Sequence, residues 1–288
     1  MRILCAVDKD QSHKNRLGVA GETAGNKDNR EEVGSMILYG KPVADALRLK
    51  YAKRIDKLAW KHTLTVWVDE DSDQSYLKAI QKAAKEWKIN VEVDDSPESA
   101  DMRDGIACCI PKDIIDISGK KKVELGMCGN FVDGQDMISD IWAYRGECKK
   151  NTPCTAEAIM HILDFYEIPL EGRNAVIIGR SDRVGKPVAM LMLARNGTIT
   201  VCHSHTPRME LNAAISRAGI IVCASGYKGL LDHWMQSRYM DSLQTVVNVG
   251  GDYDEESVWH KTSKINLVPY RGGVGPVTAA VLMSHVLM

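Results

Sequence analysis

Apolar residues along this chain keep two rhythms, and the rhythms alternate. Compact runs rich in β-branched residues recur at Leu64–Val68, Asn90–Val93, Gly105–Pro111, Val176–Gly179, Gly219–Ala224 and Thr245–Val249. Their length and composition predict buried strands. Between them lie helical periods. After a short strand from Met36, the residues Val43, Ala46, Leu47, Tyr51, Ile55 and Leu58 share one helical face. Gln74–Trp87 and Cys154–Tyr166 have the same spacing, the second entered through Thr152 and Pro153, as suits a helix start. Strands alternating with helices predict a parallel sheet covered on both faces. The alternation occupies both halves of the chain, so the expected fold class is α/β, two α/β lobes with a cleft between them. Residues 1–34 break the pattern. A short apolar start, Ile3 to Val7, runs into a polar, glycine-containing stretch that ends at Gly34. A strand added to a sheet edge and a mobile extension both suit it.

Composition narrows the partners. The chain has 288 residues, 44% of them hydrophobic, and a formal charge of -1. That is enough for one large core or two modest ones, and it makes no electrostatic case for nucleic acid or a membrane surface. No apolar run approaches the ~20 residues that span a bilayer, and the apolar start is too short for a secretory signal. Eight cysteines include the vicinal pair Cys108–Cys109 but no CxxC. Reduced thiols in a cytoplasmic protein are expected. His203 and His205 alternate at a strand end without an accompanying carboxylate or cysteine cluster, so no metal is expected.

The stretch Val176–Thr206 carries the most chemistry. It predicts a buried strand, a glycine-bearing turn, a helix, and a second strand ending in small polar groups: half of a dinucleotide-binding fold. The C-terminal lobe is therefore expected to be a Rossmann-like doubly wound parallel sheet. Gly179 ends the first strand and Gly185 enters the helix. This is not the GxGxxG spacing, yet a tight turn still lets backbone N–H groups at a helix start approach an anion. A fold selecting NAD commonly places an acid at the end of the second strand, on the ribose hydroxyl. Here that place reads His203, Ser204, His205, Thr206. Arg180, on the turn, is either a solvated residue or a partner for a 2′-phosphate through charge-assisted hydrogen bonds. Ser204 and the missing acid favour the second reading, and NADP is the expected cofactor.

With GRSDRVGKP at Gly179–Pro187, TVCHSHT at Thr200–Thr206, PCT at Pro153–Thr155 and GGVGPVT at Gly272–Thr278, the chain resembles the methylenetetrahydrofolate dehydrogenase/cyclohydrolase family. The resemblance runs from Met36 to the C-terminus. It implies a folate-binding lobe of residues 35–152 plus 269–288, an NADP-binding lobe of residues 153–268, and residues 1–34 as an extension. It implies a cytoplasmic homodimer joined through the nucleotide lobe. It also implies cofactor contacts from Gly179, Arg180, Ser181, Val184 and Gly185, from His203, Ser204 and Thr206, and from Gly226, Gly250 and Thr278. On the substrate side, Tyr76 in SYLKAI matches the tyrosine that stacks on the aminobenzoyl ring, and Asp133 in NFVDG matches the pterin-binding aspartate. Gly272, Gly273, Val274 and Pro276 match the loop beside the pterin.

Departures from the family fall on the substrate side. Its catalytic lysine corresponds to Ile80, its glutamine to Cys109, and a Val-Pro pair to Tyr270 and Arg271. Hydride transfer from a methylene carbon is driven by the neighbouring nitrogen and relies on positioning. Hydrolysis of the methenyl product needs proton transfer, help typically worth ~10²–10⁴-fold, and isoleucine supplies none. Lys78 and Lys82 lie two residues either side of Ile80, rotated by about 200° onto the opposite helix face. The expected activity is NADP-dependent oxidation of 5,10-methylenetetrahydrofolate, with cyclohydrolase weak or absent. Cys109 and Arg271 keep a different folate or pterin-like substrate open. The lost residues and the extension keep open a non-catalytic nucleotide-binding paralogue.

Overall fold

A computed structural model describes residues 36–67, 74–94, 105–108, 152–181, 183–232, 243–255 and 265–287. The expectations for residues 1–34, Asp133 and Cys109 lie outside them. The first half builds a three-stranded parallel sheet from β1 (Thr63–Trp67), β2 (Asn90–Asp94) and β3 (Gly105–Cys108), in the order β2-β1-β3. Leu64 pairs with Val91 on one side and with Gly105 on the other. Helices α1 (Gly40–Lys50), α2 (Ala52–Leu58) and α3 (Gln74–Glu86) accompany it.

Two expectations are modified here. The continuous helix expected from Val43 to Leu58 is divided at Tyr51, whose N–H is shared between Leu47 O and Arg48 O at 3.3 and 3.1 Å. The short strand expected at Met36 is a single bridge, Ile37 to Leu267. It is held by Leu38 N–H on Leu267 O at 2.7 Å and Leu267 N–H on Met36 O at 2.9 Å.

The second half is a five-stranded, wholly parallel sheet in the order β5-β4-β6-β7-β8. Its strands are β4 (Asn174–Ile178), β5 (Thr198–Cys202), β6 (Ile220–Cys223), β7 (Thr245–Asn248) and β8 (Asn266–Val268). Three-residue β8 is too short for periodicity to reveal. Helices α4 (Cys154–Phe165), α5 (Gly185–Leu193), α6 (Arg208–Ser216) and α7 (Val274–Val286) complete the described elements. The period of two along β4 explains its burial on both faces. Ala175 and Ile177 join the main core with Val188 and Met192, while Val176 and Ile178 join a second cluster with Ile215 and Val246. Each such Val, Ile or Met side chain contributes roughly 1.5–3 kcal/mol by leaving water.

α7 is largely apolar and buried from Val277 to Leu287, as expected of a helix packed on every side. It contacts α4, α1 and α3. A buried polar chain ties it to α4. His285 Nε2 lies 3.0 Å from Glu157 Oε2, and Cys154 Sγ lies 3.7 Å from His285 Nδ1. His161 approaches the other Glu157 oxygen at 3.4 Å. Burial pushes the Glu157 carboxyl up, but hydrogen bonds to His161 and His285 outweigh it and hold the group at about 2.

Candidate functional site

The strand order makes a site before any side chain is considered. The chain passes from β4 to β5 on one side, then crosses back to β6 on the other side of β4. Such a reversal leaves a crevice at the carboxyl ends of the strands, where ligands of open α/β sheets bind. Every glycine-bearing turn singled out in the second half follows one of these ends: Gly179 after β4, Gly226 after β6, Gly250 after β7 and Gly272 after β8.

The first turn has no room for side chains. Gly179 has φ +126°, and a Cβ there would lie 2.4 Å from Ala224 O. A Cβ on Gly185 would lie 2.2 Å from Gly179 O. The two glycines thus bring the turn after β4, the start of α5 and the end of β6 into backbone contact. Ser181 Oγ accepts hydrogen bonds from Val184 N–H at 3.2 Å and Gly185 N–H at 3.4 Å, satisfying donors that a helix start leaves open. Val184 is half-buried, and Arg180 is exposed at the mouth of the turn.

The turn after β5 closes on itself. His203 N–H donates to Thr206 Oγ1 at 2.9 Å, Thr206 N–H donates to His203 O at 2.8 Å, and His205 N–H donates to His203 Nδ1 at 3.2 Å. The Thr206 hydroxyl and the His203 ring therefore shape the turn, leaving Ser204 and His205 exposed.

Sequence reasoning missed the residues that hold the next two turns. Asp252 is fully buried; its carboxylate accepts from Gly226 N–H at 2.7 Å and Ser225 N–H at 3.0 Å. Asp252 N–H donates to Asn248 Oδ1 at 3.1 Å, and Asn248 Nδ2 donates to Glu255 Oε1 at 2.7 Å. The same Glu255 oxygen accepts from Tyr270 N–H. Gly250 is required beside this network, since a Cβ would meet Asp252 Oδ1 at 2.5 Å. Burial, then the Asp252 and Glu255 carboxylates, push the Cys223 thiol well above its usual range. Burial, then Cys223 and Glu255, likewise raise the Tyr253 phenol. Both groups stay neutral. The only signals for these residues in the sequence are the glycines at 226 and 250, which mark turns but not what fastens them.

The turn before α7 meets the start of α1. Gly40 N–H donates to Gly272 O at 2.8 Å, and Gly272 has φ +79°. A Cβ on Gly273 would meet Pro269 O at 2.0 Å. Val274 is buried, whereas Gly275 and Pro276 are exposed. Thr278 is buried in α7, its hydroxyl donating to Val274 O at 3.1 Å. On α3, Tyr76 is half-buried against the main core, Lys78 and Lys82 are exposed, and Ile80 is fully buried. No described group of three His, Cys, Asp or Glu residues could hold a metal ion. No described helix is long and apolar enough to cross a membrane.

Residues 153–288 match the NAD(P)-binding domain of tetrahydrofolate dehydrogenase/cyclohydrolase. The bifunctional protein FolD of Clostridium kluyveri is 32% identical over 290 residues, covering 88% of this chain and 96% of that protein. The chain belongs to the tetrahydrofolate dehydrogenase/cyclohydrolase family. A solved 5,10-methylenetetrahydrofolate dehydrogenase from the silkworm Bombyx mori superposes with a TM-score of 0.70 at 26% identity, covering 88% of this chain and 97% of that one. A Trypanosoma brucei dehydrogenase-cyclohydrolase solved with NADP and an inhibitor has a TM-score of 0.71 at 22% identity, covering 88% and 96%; at that identity it speaks for the shared fold. Membership makes the glycine crossing at Gly179 and Gly185 part of the family's NAD(P)-binding domain.

Proposed function

We propose that the chain oxidises 5,10-methylenetetrahydrofolate to 5,10-methenyltetrahydrofolate with NADP, and that its cyclohydrolase activity is weak or absent. The observation that carries the reading is the tight backbone cradle of Gly179 and Gly185 with exposed Arg180 at its mouth. A cradle without side chains suits a pyrophosphate, and a guanidinium on this turn, with Ser204 and no acid in the turn after β5, suits a 2′-phosphate. When bound, NADP accepts the hydride from the methylene carbon. Tyr76 stacks on the aminobenzoyl ring, Asp133 anchors the pterin, and Gly272, Gly273, Val274 and Pro276 shape the pocket beside it. Val184, His203, Thr206, Gly226, Gly250 and Thr278 complete the cofactor side, the last through its place in the wall of α7.

Ile80 has no proton to give, and its complete burial supports a packing role. The packing of α7 against α1 and α3 supports grouping residues 269–288 with residues 35–152, apart from a cofactor lobe of residues 153–268. A cytoplasmic homodimer joined through the nucleotide lobe completes the reading. The β5 edge, where Val201 is 38% exposed, offers a surface for it. Purified protein is expected to reduce NADP, and NAD far more slowly, with methylenetetrahydrofolate, and to hydrolyse methenyltetrahydrofolate weakly or not at all. NADP binding without turnover would overturn the dehydrogenase assignment.

Exposed Tyr270 and Arg271, in place of the family's Val-Pro, favour a second reading in which a different folate or pterin-like molecule is oxidised. It predicts that tetrahydrofolate neither stabilises the protein nor competes with substrate.

A further inference from the structure

We propose that Asp252, Asn248 and Glu255 are positioning residues that couple the cofactor-side turn after β6 to the substrate-side turn before α7. The ligands named here rest on the proposed function; the coupling itself rests on the hydrogen bonds. At one end, Asp252 grips Ser225 and Gly226 by their backbone N–H groups at 3.0 and 2.7 Å. At the other, Glu255 holds the N–H of Tyr270, two residues before Gly272. Asn248 is the joint between them. It is 1% exposed, and its amide orientation is dictated by its neighbours, since only the oxygen can accept from Asp252 N–H and only the nitrogen can donate to Glu255. An aspartate there could not donate and would set a second carboxylate against Glu255.

Such a chain has few independent ways to move. The Tyr270 ring packs about Gly251, where a Cβ would lie 3.6 Å from ring atoms, and Gly250 leaves no space between Asp252 and Gly226. A ligand that draws the 270–273 turn toward itself shifts Glu255, and through Asn248 and Asp252 shifts the Ser225–Gly226 turn. Neither carboxylate reacts; each sets where a turn sits. Coupling through a contiguous network of this kind is reciprocal, and a turn already drawn into place costs its own ligand less to order, so each ligand tightens the other.

Calorimetry of NADP binding with and without saturating tetrahydrofolate measures the coupling. In the unaltered protein, tetrahydrofolate is expected to tighten NADP at least about fivefold, the lower end of common allosteric couplings. Asn248→Asp and Glu255→Ala should bring that ratio to near one, the ratio dividing out any change in either ligand's own affinity. Glu255→Gln, which keeps the accepting oxygen, should restore it. An unchanged ratio in Glu255→Ala, or no ratio in the unaltered protein, overturns the proposal. Amide exchange in the ligand-free proteins separates this outcome from failure of the functional reading. Asn248→Asp should speed exchange at Ser225, Gly226 and Tyr270 together; loss at Tyr270 alone would defeat the coupling even if NADP bound nowhere.

Discussion

The turn after β4 and the helix α3 serve opposite sides of the proposed site, and they are built by different means. At Gly179 and Gly185, backbone meets backbone, and no side chain larger than hydrogen fits. On α3 the contacts are made by side chains, and Tyr76, Leu77 and Ile80 pack on the main core. A position limited by backbone contact can hold only one residue type without moving a strand. A position limited by side-chain volume accepts any apolar residue of similar size.

Ile80→Lys should break this contrast most violently. Ile80 is fully buried, and burying a lysine there would lower its pKa by several units, a loss on the order of 4–5 kcal/mol at pH 7. Because the folded state would favour the neutral amine, the loss should shrink as pH rises toward 10. Thermal unfolding across that range checks the sign. Methenyl hydrolysis is expected not to rise; a gain would show that position 80 reaches substrate rather than core.

Gly185→Ala tests the other region. Its Cβ would lie 2.2 Å from Gly179 O, and overpacking of this kind costs about 3 kcal/mol. NADP affinity is expected to collapse with stability, whereas Ile80→Met, similar in volume, should lose less than about 1.5 kcal/mol. Similar losses from the two would erase the distinction between backbone-limited and side-chain-limited positions.

The joint between α4 and α7 gives a pH-dependent effect. Glu157 is held at about 2 against an ordinary 4.5, so its contribution is fully present above pH 4.5 and lost as pH falls toward 2. The shift corresponds to roughly 3 kcal/mol. Acid unfolding of Glu157→Gln should lack that part of the pH slope, and a parallel slope would remove the clasp. A smaller effect is expected at Arg180. Arg180→Ala should weaken NADP by about 1.5–2 kcal/mol, near the range for a hydrogen bond to a charged group, and leave NAD unchanged. Equal loss for both cofactors would mean that Arg180 does not read the 2′-phosphate.

Alternating apolar periods were enough to place the strands β1, β2, β4, β6 and β7 and the helices α3 and α4 within a residue or two, because burial on one or both faces leaves a local imprint. The glycines at 179 and 185 were legible too, since a turn between strand and helix is a local event. Tyr51 was not legible as a helix break, because apolar residues continue in phase on both sides of it. Position 80 could be read as an isoleucine without a proton, but not as a core residue, since that depends on what packs against α3.

By itself, then, the sequence determined the α/β class, the alternation of elements and the residues of the glycine turn. Only the tertiary structure decided which turns are tied together. Asp252 reaches back to residues 225 and 226, and Glu255 reaches forward to residue 270. Those partners become neighbours because β6, β7 and β8 lie side by side in register. Strand order is a property of the folded sheet, and no spacing along the chain records it.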